Sequence, residues 1–551
     1  MNTKTLRYAI TVLLGGGITI PAQAALELYV DSKTSQVFTS PGPGRIKLGE
    51  FEQVDHKEAK EQKKASKKSG HYAGAAAYED SAYSAKADLA TTEEVKKVED
   101  KLNQRIDAVV NKPKKPNEAK ATIDDKGMRF ETNDSAFKFS LNGRLHTDAD
   151  MYSGGDIITY SDNNSNGSFD PGEKKDGTLD YNRLTDGTEI RRLRMEFAAQ
   201  FYEDWKMKMQ PELANGGGNL TVGIRDAFVQ YTGFGDAGYF TAGQSKQPYS
   251  YQQMMSSNDM VFMERSLEYE FTNRSVNRAI GLRYDLPGTW WGFSTGVYGD
   301  TATRQTSGTA TQGDEGWGAA MRGTIAPWYQ SDELLHLGAS AAFRAPSSQN
   351  RKVTYRIAPT AISQVDYLDT GGMPDIQNSQ FANAELLGVY GPLSIESEYN
   401  GTWINSNDTP TSSGAPAGNG YMQGAHFDMA YVLTGESRAT VYKADQGVAG
   451  RIKPNQNLNF DDGWGAWELK GRFMWIDMNQ IGDRTYAGGN EVASTFGFNW
   501  YWNNWSRFML DWTHVYSLGV GAAGEDRKVL KIPGNTTGDW DYVQARVSLA
   551  Y

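Results

Sequence analysis

The most regular pattern of the chain lies in residues 190–210, where apolar and polar side chains alternate at period two. In the first run the polar face carries Arg192, Arg194, Glu196 and Gln200, and the opposite face carries Leu193, Met195, Phe197 and Phe201. The next run sets Trp205, Met207 and Met209 against Lys206, Lys208 and Gln210. Because this is the period of a β-strand, the pattern predicts two strands joined by a short turn.

Strands with one apolar and one charged face suit either a soluble sandwich or an outer-membrane barrel, in which the apolar face meets lipid and the charged face lines a lumen. The ends of the chain favour the barrel. Lys4 and Arg7 precede an apolar run that ends in a small-residue cleavage site, so residues 1–24 are typical of a signal peptide rather than of a longer signal anchor. The last strand alternates and ends on the aromatic residue Tyr551, as outer-membrane barrels typically do.

Between these ends the sequence predicts two unlike regions. Residues 126–551 contain many short alternating segments separated by Gly, Asn, Asp and Pro, which predicts an all-β, transmembrane, antiparallel up-and-down barrel. Residues 25–125 predict a periplasmic extension that combines an extended segment, a Lys/Glu/Ala-rich linker and a helix over about residues 91–111. The apolar spacing in that helix fits either a marginal single helix or a short coiled coil.

The composition narrows the classes of function. The 551 residues include no Cys, which excludes a disulfide framework, a thiol nucleophile and a thiolate metal site. The formal net charge of −11 argues against a nucleic-acid partner. None of the six His residues lies in an obvious metal pair, and the sequence shows no Ser/His constellation for hydrolysis, so we expect no enzymatic activity.

Residues 162–173 resemble a calcium-binding loop. Oxygen-bearing side chains occupy loop positions one, three, five, seven, nine and twelve, and Gly167 occupies position six. The candidate ligands are Asp162, Asn164, Asn166, Ser168, Asp170 and Glu173. No cofactor is required by this reading, and the alternative is a turn-rich Asn/Asp loop between the first two strands.

Several segments of the barrel region together resemble the phosphate-selective porin O/P family. They are Glu189-Ile190-Arg191-Arg192, Gly243-Gln244, residues 256–267, Ala326-Pro327-Trp328, residues 335–340, residues 433–438, residues 450–454, residues 463–469 and Asn499-Trp500-Tyr501. The resemblance implies a sixteen-stranded, trimeric outer-membrane channel whose third loop, here about residues 246–273, folds inward and whose basic side chains conduct anions.

A basic lumen favours anions, because Arg and Lys in a partly dehydrated constriction lower the energy of an anion and raise that of a cation. Alternation directs most of the candidate side chains away from the apolar faces, the resemblance places Arg265 in the inward loop, and Arg356 extends the basic track. The candidates are Arg192, Arg194, Lys206, Lys208, Arg265, Arg283, Arg322, Arg344 and Arg356. The alternative is that these residues pair with acidic neighbours and merely pack the wall.

The sequence therefore predicts a porin in the bacterial outer membrane, a homotrimer in contact with membrane lipid, that passes small inorganic anions, phosphate or related oxyanions foremost. Two alternatives remain at this point. One is a general or differently selective porin, because the barrel half carries the negative balance of the chain. The other is a structural protein whose N-terminal extension tethers the envelope and whose barrel is an anchor.

Overall fold

The computed structural model describes three strands near the N-terminus and most of residues 118–551. The gaps in the second range are 125–126, 154–156, 161–179, 183–185, 215–221, 274, 302–314, 349–350, 359–367, 371, 374, 408–418, 460, 480–486, 521–527 and 531–539. The predicted signal peptide, the predicted helix over residues 91–111 and the calcium-type loop lie outside the described residues. None of the described helices is long and apolar enough to cross a membrane.

The chain divides into two compact units, residues 1–109 and residues 110–551. In the first unit, Leu26–Asp31 is the central strand of an antiparallel sheet, with Val37–Phe38 on one side and Arg45–Phe51 on the other. The second unit contains the barrel.

Sixteen of the described strands in the second unit close a single antiparallel barrel, in which each strand pairs with its neighbours in chain order and the last pairs with the first. In chain order they are β1 (Phe137–Ser153), β2 (Gly187–Phe201), β3 (Trp205–Glu212), β4 (Gly223–Tyr231), β5 (Tyr239–Lys246), β6 (Arg278–Pro287), β7 (Trp291–Tyr298), β8 (Trp317–Tyr329), β9 (Glu333–Ala345), β10 (Ile376–Tyr390), β11 (Leu393–Ser406), β12 (Gly420–Val432), β13 (Ala466–Asn479), β14 (Ala487–Tyr501), β15 (Ser506–Val520) and β16 (Trp540–Ala550). The predicted fold class and the implied strand number are confirmed.

The register of β1 shows how the barrel closes. Residues 144–153 of β1 pair with β16, while residues 138–141 pair with a hairpin formed by Ala119–Asp124 and Gly127–Thr132. The terminal Tyr551 exchanges two backbone hydrogen bonds of 3.1 Å with Gly143. Closure leaves no free sheet edge along the wall, which is the condition for strands to exist in a bilayer.

The wall is inverted relative to a soluble protein. Large apolar side chains such as Met195, Leu282 and Phe496 are exposed on the outer face, whereas charged side chains such as Arg546 and Glu468 are almost fully buried inside. This distribution follows from the period-two pattern, since alternate residues of a strand point to opposite faces. The apolar face therefore meets lipid and the charged face lines the lumen.

Short turns join the strands at one end of the barrel, and longer connections join them at the other. The turn after β2, residues 202–204, places Tyr202 and Glu203 at positive φ (48° and 67°), the backbone shape that a tight hairpin turn favours. The connection between β12 and β13 is an exception. It starts at the short-turn end yet spans residues 433–465.

The connections contain the remaining short elements. The helices are α1 (Tyr251–Met254) and α2 (Leu267–Asn273), with 3-10 turns at Gly235–Ala237 and Arg438–Val441. Two-residue strands pair as Arg356–Ile357 with Leu368–Asp369 and as Tyr442–Lys443 with Val448–Ala449, and Ile157–Tyr160 pairs with Asp180–Asn182 and Lys528–Leu530.

Candidate functional site

The connection between β5 and β6, residues 247–277, folds into the barrel and is called the lumen loop below. It contains α1 and α2, and it contacts strands far from its own ends. Tyr249 donates a hydrogen bond of 2.9 Å from its hydroxyl to Asn400 of β11, and the backbone N–H of Met263 donates one of 2.9 Å to Asp511 of β15. Because these contacts reach other strands of the wall, the loop narrows the lumen.

The wall binds the backbone of the lumen loop between residues 260 and 264. A chain segment inside a barrel loses water from its polar groups, and each buried carbonyl left without a donor is costly. Here hydrogen bonds of 2.7 to 3.0 Å join the carbonyls of Met260, Val261 and Glu264 to wall side chains. The donors are Arg507, Lys470, Asn499 and Arg472.

Glu264 of the lumen loop lies at the centre of an arginine cluster. Arg192 binds both of its carboxylate oxygens, with N···O distances of 3.1 and 2.9 Å, and Arg191 and Arg546 bind Oε1 at 3.1 and 2.6 Å. Burial disfavours the charged carboxylate, but these three guanidinium groups outweigh burial and hold the pKa of Glu264 well below its usual range. The carboxylate is therefore a fixed negative charge that compensates part of a basic wall.

Beside the lumen loop lies a cavity of about 590 Å³, called the basic cavity below. Its described lining contains eleven Lys and Arg side chains and six Asp and Glu side chains, a formal excess of five positive charges. The basic side chains are Arg144, Arg191, Arg192, Arg194, Lys208, Arg225, Lys246, Arg265, Arg278, Arg283 and Lys443. The acidic side chains are Glu196, Asp226, Asp259, Glu264, Asp285 and Asp445.

Three of these cations have only neutral acceptors among the described residues. Arg144 donates to the Ser257 hydroxyl at 2.9 Å. Lys246 donates to the carbonyls of residues 254 and 255 at 3.1 and 2.9 Å. Arg265 donates to the carbonyls of residues 252 and 255 at 2.6 and 3.0 Å, and its guanidinium lies 4.7 Å from the ring centre of Tyr269. Because Lys246 and Arg265 share one carbonyl, two basic side chains without a carboxylate in hydrogen-bond contact lie side by side at the cavity.

The β12–β13 connection enters the lumen from the opposite mouth. Arg322 of β8 donates hydrogen bonds of 2.8 Å to the carbonyls of Gln446 and Gly447, and the hydroxyl of Tyr442 lies 2.7 Å from Nδ1 of His336. The backbone N–H of residue 449 donates to the Tyr251 hydroxyl of the lumen loop at 3.2 Å. Two inward segments thus meet inside the barrel, and both contribute side chains to the basic cavity.

The structure brings together five of the nine side chains predicted for the anion pathway and disperses the other four. Arg192, Arg194, Lys208, Arg265 and Arg283 line the basic cavity. Arg322 is buried against Glu385, and Arg356 pairs with Asp369 at 3.2 Å. Arg344 pairs with Asp300 and lines a separate cavity of about 430 Å³. Lys206 is exposed near the β2–β3 turn.

Some lining cations were absent from the sequence prediction for a definite reason. Arg191 and Arg225 are the additional residues at two β-bulges. Ile190 and Arg192 pair with consecutive residues of β1, so Arg191 between them is the extra residue. Ile224 and Asp226 pair in the same way with consecutive residues of β3, so Arg225 is the extra residue there. A β-bulge breaks the period-two rule, so parity alone assigns these side chains to the wrong face. Arg144, Lys246, Arg278 and Lys443 also line the cavity, and Lys246 and Lys443 lie at a strand end and in a connection, where periodicity carries no signal.

Comparison with known proteins identifies the group to which this barrel belongs. The family model described as Phosphate-selective porin O and P matches residues 169–532. Porin O of Pseudomonas aeruginosa is 24% identical over 406 residues, which cover 69% of this chain and 83% of that protein.

Solved structures with a similar fold include OmpT of Vibrio cholerae in a trimer form, with a TM-score of 0.44 and 8% identity over 76% of this chain and 100% of that one. Another is an anion-selective porin from Comamonas acidovorans, with a TM-score of 0.42 and 12% identity over 75% of this chain and 100% of that one. The chain belongs to the phosphate-selective porin O and P family, and it is an outer-membrane porin.

Proposed function

We propose that this porin passes small anions by passive diffusion through the basic cavity, with phosphate and related oxyanions preferred. The carrying observation is the positive excess of the lining, and in particular the group formed by Arg144, Lys246 and Arg265, whose described partners are neutral. A cation without a carboxylate in hydrogen-bond contact attracts a mobile anion more strongly than an ion pair in the wall does.

The preference for oxyanions rests on the geometry of the donors. A planar guanidinium offers paired N–H groups to an oxyanion, and a lysine amine offers donors from a single point. Arg265 and Lys246 supply one of each beside the cavity, since both donate to the carbonyl of residue 255. Two unit charges 4 Å apart interact with about 1 kcal/mol in bulk water and about 4 kcal/mol at a partly screened site. Removal of both cations is therefore expected to weaken phosphate binding at least tenfold.

The test is a planar-bilayer measurement of the reversal potential across a chloride gradient, followed by titration of phosphate against the chloride current. We expect wild type to be anion-selective with saturable phosphate block, and Lys246→Gln/Arg265→Gln to lose most of both. Lys138→Gln is the matched control, because Lys138 is exposed, lies 3.4 Å from Glu131 and does not line the basic cavity. Two outcomes would show that the family's substrate class does not apply to this pore. One is a cation-selective wild type, and the other is a double variant whose chloride current is blocked by phosphate as strongly as that of wild type.

We further propose that the porin is a homotrimer whose residues 25–125 lie in the periplasm. The support is the family membership and the inward position of the lumen loop, which leaves the outer wall of the barrel available to neighbouring copies. Deletion of residues 25–117, which retains the hairpin paired with β1, is expected to leave the conductance of the pore unchanged. If conductance persists but the envelope loses its mechanical integrity, the extension acts as a tether in addition to the channel; if conductance is lost, the extension is part of the pore.

A further inference from the structure

Four carboxylates surround one imidazole in the interior of the barrel, away from the basic cavity. Glu268 belongs to α2 of the lumen loop, and Glu396 and Glu398 of β11 lie directly opposite Asp428 and His426 of β12. All five side chains are buried. Burial of several like charges in contact is strongly unfavourable unless cations or protons compensate them.

The hydrogen bonds of this cluster satisfy some of its oxygens and leave others without a donor. Asp428 is neutralised by Arg472, which binds its two oxygens at 2.7 and 2.6 Å. Glu398 uses Oε1 to accept from the backbone N–H groups of residues 251 and 252, and Glu268 uses Oε1 to accept from the Ser266 hydroxyl. The second oxygen of Glu268 and the second oxygen of Glu398 are buried and have no hydrogen-bond partner among the described residues.

The geometry of three of these side chains fits a metal ion. Ligand atoms of Glu268, Glu398 and His426 all lie within 4.8 Å of one another. Nδ1 of His426 is hydrogen-bonded to Oε1 of Glu268. Its Nε2 lies 3.2 Å from Oε1 of Glu396 and 3.2 Å from the side-chain amide nitrogen of Gln252. A carboxylate on the ring nitrogen that does not bind metal is the outer partner that metal-bound histidines usually have, because it fixes the tautomer of the ring. A bound ion would replace the hydrogen bond that Nδ1 of His426 makes with Glu268.

We propose that Glu268, Glu398 and His426 bind a divalent transition-metal ion, with Zn²⁺ as the best match. One imidazole nitrogen and two carboxylates are ligands that Zn²⁺ accepts in a four-coordinate site, whereas Ca²⁺ and Mg²⁺ prefer six or more oxygens or several retained waters. A second possible triad, Glu396, His426 and Asp428, is less suitable because Arg472 already occupies Asp428.

The consequence of this site is mechanical. Glu268 comes from the lumen loop, while the other two ligands come from adjacent wall strands, so a bound ion ties α2 to the barrel. None of the three ligands lines the basic cavity, and the site is therefore compatible with a pore for anions. Sequence spacing gives no signal for it, because the ligands lie 130 and 28 positions apart along the chain.

The test uses full-length porin in detergent, stripped with a chelator, equilibrated with Zn²⁺ and analysed for bound metal by mass spectrometry. We expect one Zn²⁺ per chain in wild type and none in Glu268→Gln or Glu398→Gln, which keep the size and hydrogen-bonding capacity of the side chains. Glu491→Gln is the matched control, because Glu491 is a buried barrel carboxylate outside the cluster that also has an oxygen without a described partner. It should retain one Zn²⁺.

Two further readouts make the result decisive. Each variant is first tested for folding, since a folded barrel resists unfolding in detergent as long as it is not heated. Only variants that pass this test are analysed for bound Zn²⁺. Glu396→Gln, which alters the outer partner of His426, should weaken Zn²⁺ binding by about 10- to 100-fold without abolishing it. The proposal is overturned if folded wild type binds no Zn²⁺, or if Glu268→Gln and Glu398→Gln bind as much as wild type, in which case protons compensate the buried carboxylates.

Discussion

At the scale of single residues, Glu264 sets the charge balance of the basic cavity. Burial disfavours its carboxylate, yet Arg191, Arg192 and Arg546 hold its pKa well below the ordinary 4.5. A carboxylate whose pKa is lowered by folding contributes stability that is present above its ordinary pKa and is lost only as the pH falls through the lowered value. We therefore expect Glu264 to contribute no change in single-channel conductance between about pH 8 and about pH 4.5. A change in conductance with a midpoint near pH 4.5 that is present in wild type and absent in Glu264→Gln would contradict the lowered pKa of Glu264.

We also expect Glu264→Gln to raise the affinity of the pore for phosphate at neutral pH. The substitution removes one negative charge from among three guanidinium groups. Arg192, which lines the basic cavity, then loses its carboxylate partner, whereas Arg546 keeps Asp148. Since one charge at close range in a partly screened site is worth about 1 to 4 kcal/mol, phosphate should block chloride current at a concentration about tenfold lower. The measurement is the phosphate titration in bilayers, with Glu131→Gln as the control, because Glu131 pairs with Lys138 at 3.4 Å and does not line the basic cavity. An unchanged half-blocking concentration would show that the arginines remain occupied by the wall.

At the scale of elements, the lumen loop depends on backbone hydrogen bonds to the wall. Asp511 accepts from the N–H of Met263 at 2.9 Å, so Asp511→Leu strands a buried donor, whereas Asp511→Asn keeps an acceptor in place. We expect the Leu variant to be less stable than the Asn variant by about 1 to 3 kcal/mol, with the loop between residues 255 and 265 more open to proteolysis. Both variants remove the negative charge beside Lys470, so their difference reports on the hydrogen-bonding capacity of the side chain rather than on its charge. Equal protease resistance would mean that this contact does not hold the loop.

The β12–β13 connection allows a similar test at the other mouth. The N–H of Gly450 donates to the carbonyl of Val441 at 2.8 Å, so the ends of the hairpin between them are already adjacent. Replacement of residues 442–449 by a two-residue link should preserve the barrel, widen the lumen and raise single-channel conductance. Lys443→Gln is the control that changes charge and leaves the hairpin in place, and it should alter selectivity more than conductance. A shortened variant with wild-type conductance would show that the lumen loop alone limits the flow.

At the scale of the whole molecule, the sequence predicts the wall better than the contents of the lumen. Strands such as β2 follow from period two, because the lipid and the lumen each select one face. Arg191 and Arg225 were missed because bulges shift the parity, and the inward path of residues 433–465 was missed because it depends on contacts with distant strands. Charge alone places Arg356 on the basic track, whereas in the structure it lies in a short strand of the β9–β10 connection and pairs with Asp369. Local patterns thus specify the barrel, and long-range contacts specify the pore.

The whole chain has a formal charge of −11, whereas the basic cavity has a formal excess of five positive charges. Salt affects the two contributions differently. The Debye length falls from about 10 Å in 0.1 M salt to about 3 Å in 1 M salt, so distant charges lose their effect while charges in contact with an ion keep it. High salt therefore screens acidic groups that lie away from the cavity, while an ion inside the cavity stays in contact with its lining.

We expect the anion-to-cation permeability ratio, measured from reversal potentials at a fixed salt ratio, to stay above one at about 1 M. Lys246→Gln/Arg265→Gln should lower the ratio at every concentration, while Lys138→Gln should match wild type throughout. A ratio that reverses in favour of cations at high salt would place the origin of selectivity outside the cavity, because only distant charges lose their effect when the Debye length shrinks to a few ångströms.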